Sequence, residues 1–372
     1  MTEKLHQAGL QVFVLCRRIQ GLPRWRPAEG IPITAVPSLG SRSHDLEEKT
    51  FGNFLISFSF SLSLLAALIR FRRDYDLVHF HGASLPLIVN VLFLKVMGKK
   101  IVAKVAGAKM NIEAGSFRNT HLLAGNMFIR ILKHVDAFVA ISDEIMEDLT
   151  KDGFVPEKIC RIPNFVLPDH FYPPRDAGDK KRAREKIGIR SDAFVVTFSG
   201  RLVQRKRVDI LLHAVAEVVS RGNELRVLIL GHGEMRSKLE QMAAELGIEG
   251  RVSFTSFVTN ILDYLHASDL FIFPSVKEGM PNALLEAMAC GLPVIATRIG
   301  GVVDVIRDRD NGLLVSPGNA GELRDALLLL LESPEIRTAI SARAGETIRQ
   351  YYHIDSVAER YLALYREVMH ED

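Results

Sequence analysis

The stretch LFIFPSVKEGMPNALLEAMACGLPVIA, residues 270–296, decides the fold class of this chain. It begins with an apolar run at 270–273 and ends with a second apolar run at 293–296. Between the two runs the apolar spacing predicts a helix, with Pro281 in its first turn, where a missing N–H group costs no hydrogen bond. A strand, a helix and a strand in so short a stretch form a βαβ unit, whose two strands run parallel.

The same alternation of strands and helices extends in both directions from this stretch. In the second half the pattern predicts strands at 194–199, 226–230, 252–254 and 313–315 and helices at 208–219 and 234–246. In the first half it predicts strands at 12–15, 77–80, 100–105 and 137–141 and helices at 54–69, 86–96 and 126–132. A final amphipathic helix is predicted at 355–369. The chain has 372 residues, which is long for one core, so we expect two α/β domains joined by the proline-containing segment 164–177.

The charge is distributed unevenly along the chain. Residues 1–175 carry 22 Lys and Arg against 16 Asp and Glu, although the net charge of the whole chain is only +3. A basic first half suits an anionic membrane surface or a phosphorylated partner, and ordinary surface charge explains it equally well. The uncharged stretch 54–69 contains four serines and is short for a membrane span. We expect a buried helix there, with peripheral contact with a bilayer as the alternative.

Two further observations bear on the compartment. The three cysteines are far apart and odd in number, which fits a reduced cytosolic compartment. Residues 1–9 are polar and of mixed charge, so they do not resemble a signal peptide.

A cluster of positive charge follows the strand predicted at 194–199. Arg201, Arg205, Lys206 and Arg207 lie between the end of that strand and a helix that begins near Val208. A helix amino end offers free N–H groups and a partial positive charge, and Arg and Lys side chains bind phosphate oxygens. The loop is therefore a candidate phosphate site, and a solvated basic loop is the alternative.

A second candidate site surrounds the start of the helix in the opening stretch. Glu278 precedes this helix and Glu286 lies within it, in the apolar text ALLEAMAC. A carboxylate among apolar residues costs free energy unless it has a partner, and the two hydroxyls of a ribose can both donate to it. The alternative is that Glu286 faces water. The loop and the first turn would bind a ligand through Gly279, Met280, Pro281, Asn282, Ala283 and Leu284.

Other candidate residues rest on weaker signals. Gly231 and Gly233 follow the strand at 226–230, where glycine permits close approach of a ligand. His81 follows the strand at 77–80 and is expected to face a cleft, whereas a structural role is favoured for His79. Two Asp-X-Asp pairs, at 74–76 and 308–310, are short and expected by chance, and no residues have zinc-ligand spacing. We therefore expect no bound metal.

Together these segments resemble the retaining glycosyltransferases of glycosyltransferase family 4. The resemblance rests on SGRLVQRKRVDILLHAV, LILGHGEMRSKLE, EGMPNALLEAMACGLPVIATRIGGVVDVI and NGLLVSP. The E-x7-E spacing from Glu278 to Glu286 matches the signature of that family. Weaker matches in the first half are DLVHFHG, VDAFVAISD and ICRIPNF, so the resemblance covers the chain from about Leu5 to Tyr365.

The resemblance implies a GT-B fold, in which two Rossmann-like domains face a central cleft. Residues 1–170 would form the acceptor-side domain and 171–354 the nucleotide-sugar-binding domain, with the terminal helix 355–370 packed back on the first domain. A UDP- or GDP-sugar would be the donor substrate, with no tightly bound cofactor and no required metal. Arg201 and Lys206 would contact the donor phosphates, Glu286 would bind the ribose, and Glu278 would lie near the transferred sugar.

The resemblance also implies a reaction and a setting. The sugar would pass, with retention of configuration, to a glycan or lipid-linked acceptor during cell-surface polysaccharide synthesis. From its cysteines the protein is expected to be cytoplasmic, and its basic first domain suggests peripheral contact with the inner membrane surface; no nucleic acid is expected as a partner. The alternatives are a degenerate GT-B protein that binds a nucleotide-sugar or a partner without turnover, and an epimerase or phosphorylase on the same fold.

The sequence departs from the family pattern in three places. It begins at what corresponds to the first helix, so the usual first strand and its Gly-Gly loop look absent. Ala106 stands where many members have the histidine of a His-Gly pair, so no catalytic role carries over to that position. Arg207 replaces a usual glycine and His232 a usual acidic residue, and both changes bear on donor choice.

Overall fold

The computed structural model describes residues 1–18, 30–39, 51–106, 122–190, 192–256, 258 and 260–370, and of residues 122–126 only the backbone. The chain divides into two compact units. The first comprises Met1–Ile162 and Ala358–Asp372, and the second comprises Pro163–Val357. The contacts divide the chain after Ile162, and the boundary expected from the sequence is residue 170.

The first unit alternates strands and helices. Its elements are α1 Thr2–Gln7, β1 Val14–Arg17, β2 Ile33–Val36, α2 Phe51–Arg70, β3 Leu77–His81, α3 Leu85–Val96, β4 Lys100–Val105, α4 Leu122–Leu132, β5 Ala137–Ala140, α5 Asp143–Lys151 and β6 Ile159–Arg161. Strands β3, β4, β5 and β6 form a parallel sheet in that order, and β1 pairs with β2 in a separate parallel sheet. The central strands are buried on both faces, as parallel sheets are.

The second unit contains a larger parallel sheet. Its elements are α6 Ala177–Lys186, β7 Phe194–Ser199, α7 Val208–Ser220, β8 Leu225–Leu230, α8 Arg236–Glu245, β9 Val252–Thr255, α9 Ile261–Ala267, β10 Leu270–Phe273, α10 Asn282–Ala289, β11 Val294–Thr297, α11 Gly300–Val303, β12 Leu313–Val315, α12 Ala320–Glu332 and α13 Pro334–Tyr351. A last helix, α14 Ile354–His370, begins in the second unit and ends in the first.

The order of strands in the second sheet creates a binding position. The order is β12-β11-β10-β7-β8-β9, and every pairing is parallel. Strands β7 and β10 are neighbours in the middle of the sheet. From β7 the chain continues outward to β8 on one side, and from β10 it continues outward to β11 on the other side, so the connections run in opposite directions away from these two strands. Ligands of open α/β sheets bind at such a switch point, beyond the carboxyl ends of the strands.

One expectation about the first unit is wrong. The stretch 54–69 was expected to be a buried helix, but on α2 only Ser61, Leu64 and Leu68 are buried. A charge-free sequence does not tell whether the apolar side chains have anything to pack against. Strands β2 and β6 were not predicted, because each is short and lacks a long apolar run.

Candidate functional site

The loops that follow β7 and β10 are joined by a buried ion pair. The Lys206 Nζ atom lies 2.7 Å from Glu278 Oε1, and the Arg205 Nη1 atom donates to the same oxygen over 2.5 Å. Arg205 also donates to the carbonyl of Lys277, and its own carbonyl accepts from the Val276 N–H over 2.9 Å. The two loops at the switch point therefore form one connected surface.

Positive charge is concentrated at this surface. Lys206 is 8% exposed, and its ammonium group lies 4.8 Å from the ring centroid of Phe273, at the end of β10. Burial lowers the pKa of Lys206, Glu278 raises it, and the charges of Arg205 and Arg201 lower it further. Because Arg201 is close enough to affect this pKa, the three cations form one cluster, which an anionic ligand would stabilise.

Two glycines hold the loop after β8 against the loop after β7. The Leu202 N–H donates to the carbonyl of His232 over 2.8 Å, and the Gly200 N–H donates to that of Leu230 over 3.0 Å. A Cβ atom on Gly231 would lie 1.9 Å from the Gly200 oxygen, and one on Gly233 would lie 2.3 Å from the Leu202 oxygen. These glycines are thus required for contact between two loops, a structural reason that the sequence did not reveal.

The helix α10 begins beside the ion pair. Pro281 is its N-cap residue, so the helix starts at Asn282, one residue later than the sequence suggested. The Asn164 side chain donates to the carbonyl of Met280 over 3.0 Å and so helps to hold the loop before α10 in place. A Cβ atom on Gly301 would lie 1.5 Å from the Gly279 oxygen, so the loop after β11 also packs tightly here.

Glu286 lies on the second turn of α10 and is half-buried between the buried Leu285 and Ala287. Burial raises the pKa of its carboxyl group. Among the residues that the structure describes, none forms a hydrogen bond or an ion pair with this carboxylate. It is therefore available to accept hydrogen bonds from a ligand. The Leu284 side chain is fully buried, so this residue offers a ligand only its backbone.

His81 lies in the first unit, at the end of β3, and is exposed. Its ring stacks on that of His79, with the centroids 4.6 Å apart. The His79 Nδ1 atom lies 2.6 Å from the hydroxyl oxygen of Tyr365 on α14. Burial, with smaller contributions from His81 and Lys104, lowers the pKa of His79 to about 3, so this ring is neutral and structural.

The acidic pairs do not gather into a metal site. Asp308 and Asp310 pair with Arg298 and Arg307 over 2.8 and 2.9 Å. Asp76 lies 3.8 Å from Lys99. In the described part of the chain no three His, Cys, Asp or Glu residues are placed to hold a metal ion.

Comparison with known proteins identifies the family. A family model described as Glycosyltransferase Family 4 matches residues 1–170, and one described as Glycosyl transferases group 1 matches residues 179–347. The lipopolysaccharide core biosynthesis glycosyltransferase LpsE of Rhizobium meliloti is 34% identical over 293 residues, which cover 77% of this chain and 82% of that protein. The chain belongs to glycosyltransferase family 4.

Other comparisons agree with this assignment. The N-acetyl-alpha-D-glucosaminyl L-malate synthase of Bacillus anthracis is 28% identical over 85% of this chain and 81% of its own length. A sucrose-phosphate synthase structure from Thermosynechococcus elongatus has a TM-score of 0.83 at 21% identity, covering 100% of this chain and 92% of that one. HepE from Anabaena in complex with UDP has a TM-score of 0.77 at 18% identity, covering 96% and 100%. The predicted fold class, α/β with the GT-B arrangement of two Rossmann-like domains, is confirmed.

This family 4 glycosyltransferase brings several of the predicted site residues together. Lys206 and Glu278 are in direct contact, and Arg201 is close enough to influence Lys206. Sequence reasoning missed the contacts of Arg205 and Asn164. Arg205 stood in the basic loop and Asn164 in the quoted text ICRIPNF, but neither position indicated its partner in the distant loop at 277–280.

Proposed function

We propose that this glycosyltransferase binds a nucleoside diphosphate sugar in its second unit and transfers the sugar with retention of configuration. The observation that carries the proposal is the buried contact between Lys206 and Glu278 at the switch point of the sheet. This contact aligns a cationic loop with the amino end of α10. A diphosphate would lie against the cations and the free N–H groups of that helix end.

The charge of the cluster suits a diphosphate. Arg201, Arg205 and Lys206 contribute three positive charges, and the Glu278 carboxylate offsets one of them. The remaining positive charge matches the negative charge of a bound diphosphate. As the bond to the sugar breaks, negative charge grows on the leaving phosphate oxygen, and fixed cations stabilise that charge more than they stabilise the intact donor.

Glu278 has a positioning role in this proposal. Its Oε1 atom already accepts from two cations, which makes the carboxylate a weak nucleophile and a firm support for Lys206. Retention would then follow from attack on the same face as the departing phosphate, which accepts the proton of the acceptor. The Glu286 carboxylate would accept from the two ribose hydroxyls, a role consistent with its half-buried state and its lack of a described partner.

We propose a glycan or lipid-linked acceptor in the cytosol, at the inner membrane surface. Two relatives at 34% identity are named for lipopolysaccharide core biosynthesis, which supports such an acceptor. HepE is named in complexes with UDP and UDP-glucose, which makes UDP-sugars the first donors to try.

The experiment is a transfer assay with UDP- and GDP-sugars and an envelope glycolipid extract as acceptor. It measures nucleoside diphosphate release and the anomeric proton coupling of the product. We expect release that depends on the acceptor and a product with the anomeric configuration of the donor. Binding of donors without release in any combination would favour the degenerate alternative, and an inverted product would contradict the retaining mechanism.

A further inference from the structure

We propose that the outer face of α2 is a docking surface for an anionic lipid bilayer. This inference goes beyond the proposed transfer reaction and does not depend on it. The surface, here called the α2 apolar stripe, consists of exposed large side chains on one side of the helix, three or four residues apart at first and seven apart at the end: Phe51, Leu55, Phe58, Leu62 and Ile69. Phe51 is 76% exposed and Leu62 is 48% exposed.

The stripe is unusual for a soluble surface. Single exposed apolar residues are common, but a run along a whole helix marks a contact surface. Phe54 lies beside the stripe and stacks on Phe58, with their ring centroids 6.1 Å apart. The neighbouring helix α3 also carries exposed apolar side chains, Leu92, Phe93 and Val96, and Val96 is 88% exposed.

Charge complementarity identifies the partner. The stripe ends at three exposed arginines, Arg70, Arg72 and Arg73, and α2 itself contains no acidic residue, although the exposed Asp74 and Asp76 follow it. A bilayer with anionic headgroups offers hydrocarbon and negative charge together, which is what this combination recognises. A second copy of the helix would offer the apolar side chains, but its two aspartates are outnumbered by its own three arginines.

Helix α2 lies on the surface of the first unit and is held there by contacts along one of its sides. With 20 residues it is long and apolar enough to cross a membrane. However, its other side is attached to the domain: the Asn90 side chain donates to the Ser61 carbonyl over 3.2 Å, and the Tyr75 hydroxyl donates to the Leu68 carbonyl over 3.0 Å. Pulling α2 across a bilayer would break these buried contacts, so the geometry points to interfacial binding.

The test is co-sedimentation of the full chain with vesicles of phosphatidylglycerol and phosphatidylcholine, and with vesicles of phosphatidylcholine alone. We expect binding to the anionic vesicles that weakens as salt is raised. The double variant Phe58→Ser/Leu62→Ser should bind at least about tenfold more weakly. Ile336→Ser is the matched control, because Ile336 is 39% exposed and lies in the second unit.

A second pair of variants tests the charge. Replacing the three arginines at 70, 72 and 73 by glutamine should weaken binding roughly fivefold per residue. The control replaces the exposed Arg349, Arg360 and Arg366 by glutamine, which gives the same change in net charge at other places. Calorimetric binding of UDP by every variant separates a docking defect from misfolding and from failure of the donor proposal.

Three results would overturn the docking proposal. The first is a wild-type protein that does not bind anionic vesicles. The second is equal loss of binding in the control variants. The third is a wild-type protein that forms a dimer and does not bind vesicles, when the double variant Phe58→Ser/Leu62→Ser is a monomer. The stripe would then be an interface between two copies of this chain.

Discussion

Lys206 and Glu278 contact each other over 2.7 Å although they belong to loops that follow different strands of the same sheet. The contact is buried, with 11% and 12% of the two side chains exposed. It brings the cationic loop after β7 to the start of α10.

Replacing Lys206 by methionine should lower kcat/KM about a hundredfold or more, because in the proposed site Lys206 is a fixed cation at the leaving phosphate. Diphosphate affinity should fall as well. The control is Lys238→Met, which removes an exposed lysine from α8. Steady-state kinetics and calorimetry on both variants provide the comparison, and near-wild-type turnover in Lys206→Met would rule out its role.

Arg205 is expected to position Glu278 for turnover. Arg205→Gln removes a charged donor from Glu278 Oε1. We expect kcat to fall about tenfold, which corresponds to the free energy of one charge-assisted hydrogen bond. Arg205→Lys should restore part of the rate by restoring the charge. If Arg205→Gln lowers the melting temperature but leaves kcat unchanged, the side chain is merely structural.

Glu286 should be a source of instability in the protein without ligand. Burial raises its pKa, so at neutral pH the folded state holds an ionised carboxylate in an unfavourable place. The folded state binds the proton more readily than the unfolded state, so the cost is present above the raised pKa and disappears as the pH falls below the unfolded value. Glu286→Gln should therefore raise Tm at pH 7, and the gain should shrink in acid.

The scan that checks this compares wild type and Glu286→Gln by calorimetry at several pH values. Glu240→Gln is the control, because Glu240 is an exposed helical glutamate paired with Arg236 over 2.8 Å. A Tm difference that does not change with pH would contradict the stated cause.

Gly301→Ala should destabilise the second unit by about 2 kcal/mol or more, because its Cβ would lie 1.5 Å from the Gly279 oxygen and force the loop apart. Gly250→Ala is the matched control, since nothing lies within 4 Å of the Cβ that it adds. Denaturant unfolding measures both. Equal stability of the two variants would show that the loop moves aside at little cost.

The sequence predicted the second unit better than the first. Strands β7, β10 and β12 match their expected bounds, because each is a short run rich in apolar and β-forming residues. The buried face of α2 could not be predicted, because its apolar residues occur on all sides and only packing selects which are covered. Short strands such as Ile33–Val36 lack a pattern of their own and form through pairing with distant residues.

The site was predictable in its charges and not in its contacts. The basic text at 201–207 and the carboxylates Glu278 and Glu286 were each visible as groups that require a partner. The partner of Arg205 depends on strand order, which brings together loops 73 residues apart. The partner of Asn164 lies 116 residues further along the chain, in a loop that follows a strand of the second sheet. No local pattern carries that information. The assignment of each side chain to phosphate, ribose or sugar stays a prediction.

The most direct test of the donor site is calorimetric titration of the wild type and Glu286→Ala with UDP and GDP. We expect one of the two nucleotides to bind the wild type with a dissociation constant between roughly 1 μM and 1 mM. We expect at least tenfold weaker binding by Glu286→Ala, and no further loss of affinity in this variant when the nucleotide lacks its ribose hydroxyls. A folded wild-type protein that binds neither nucleotide would contradict the proposed donor site.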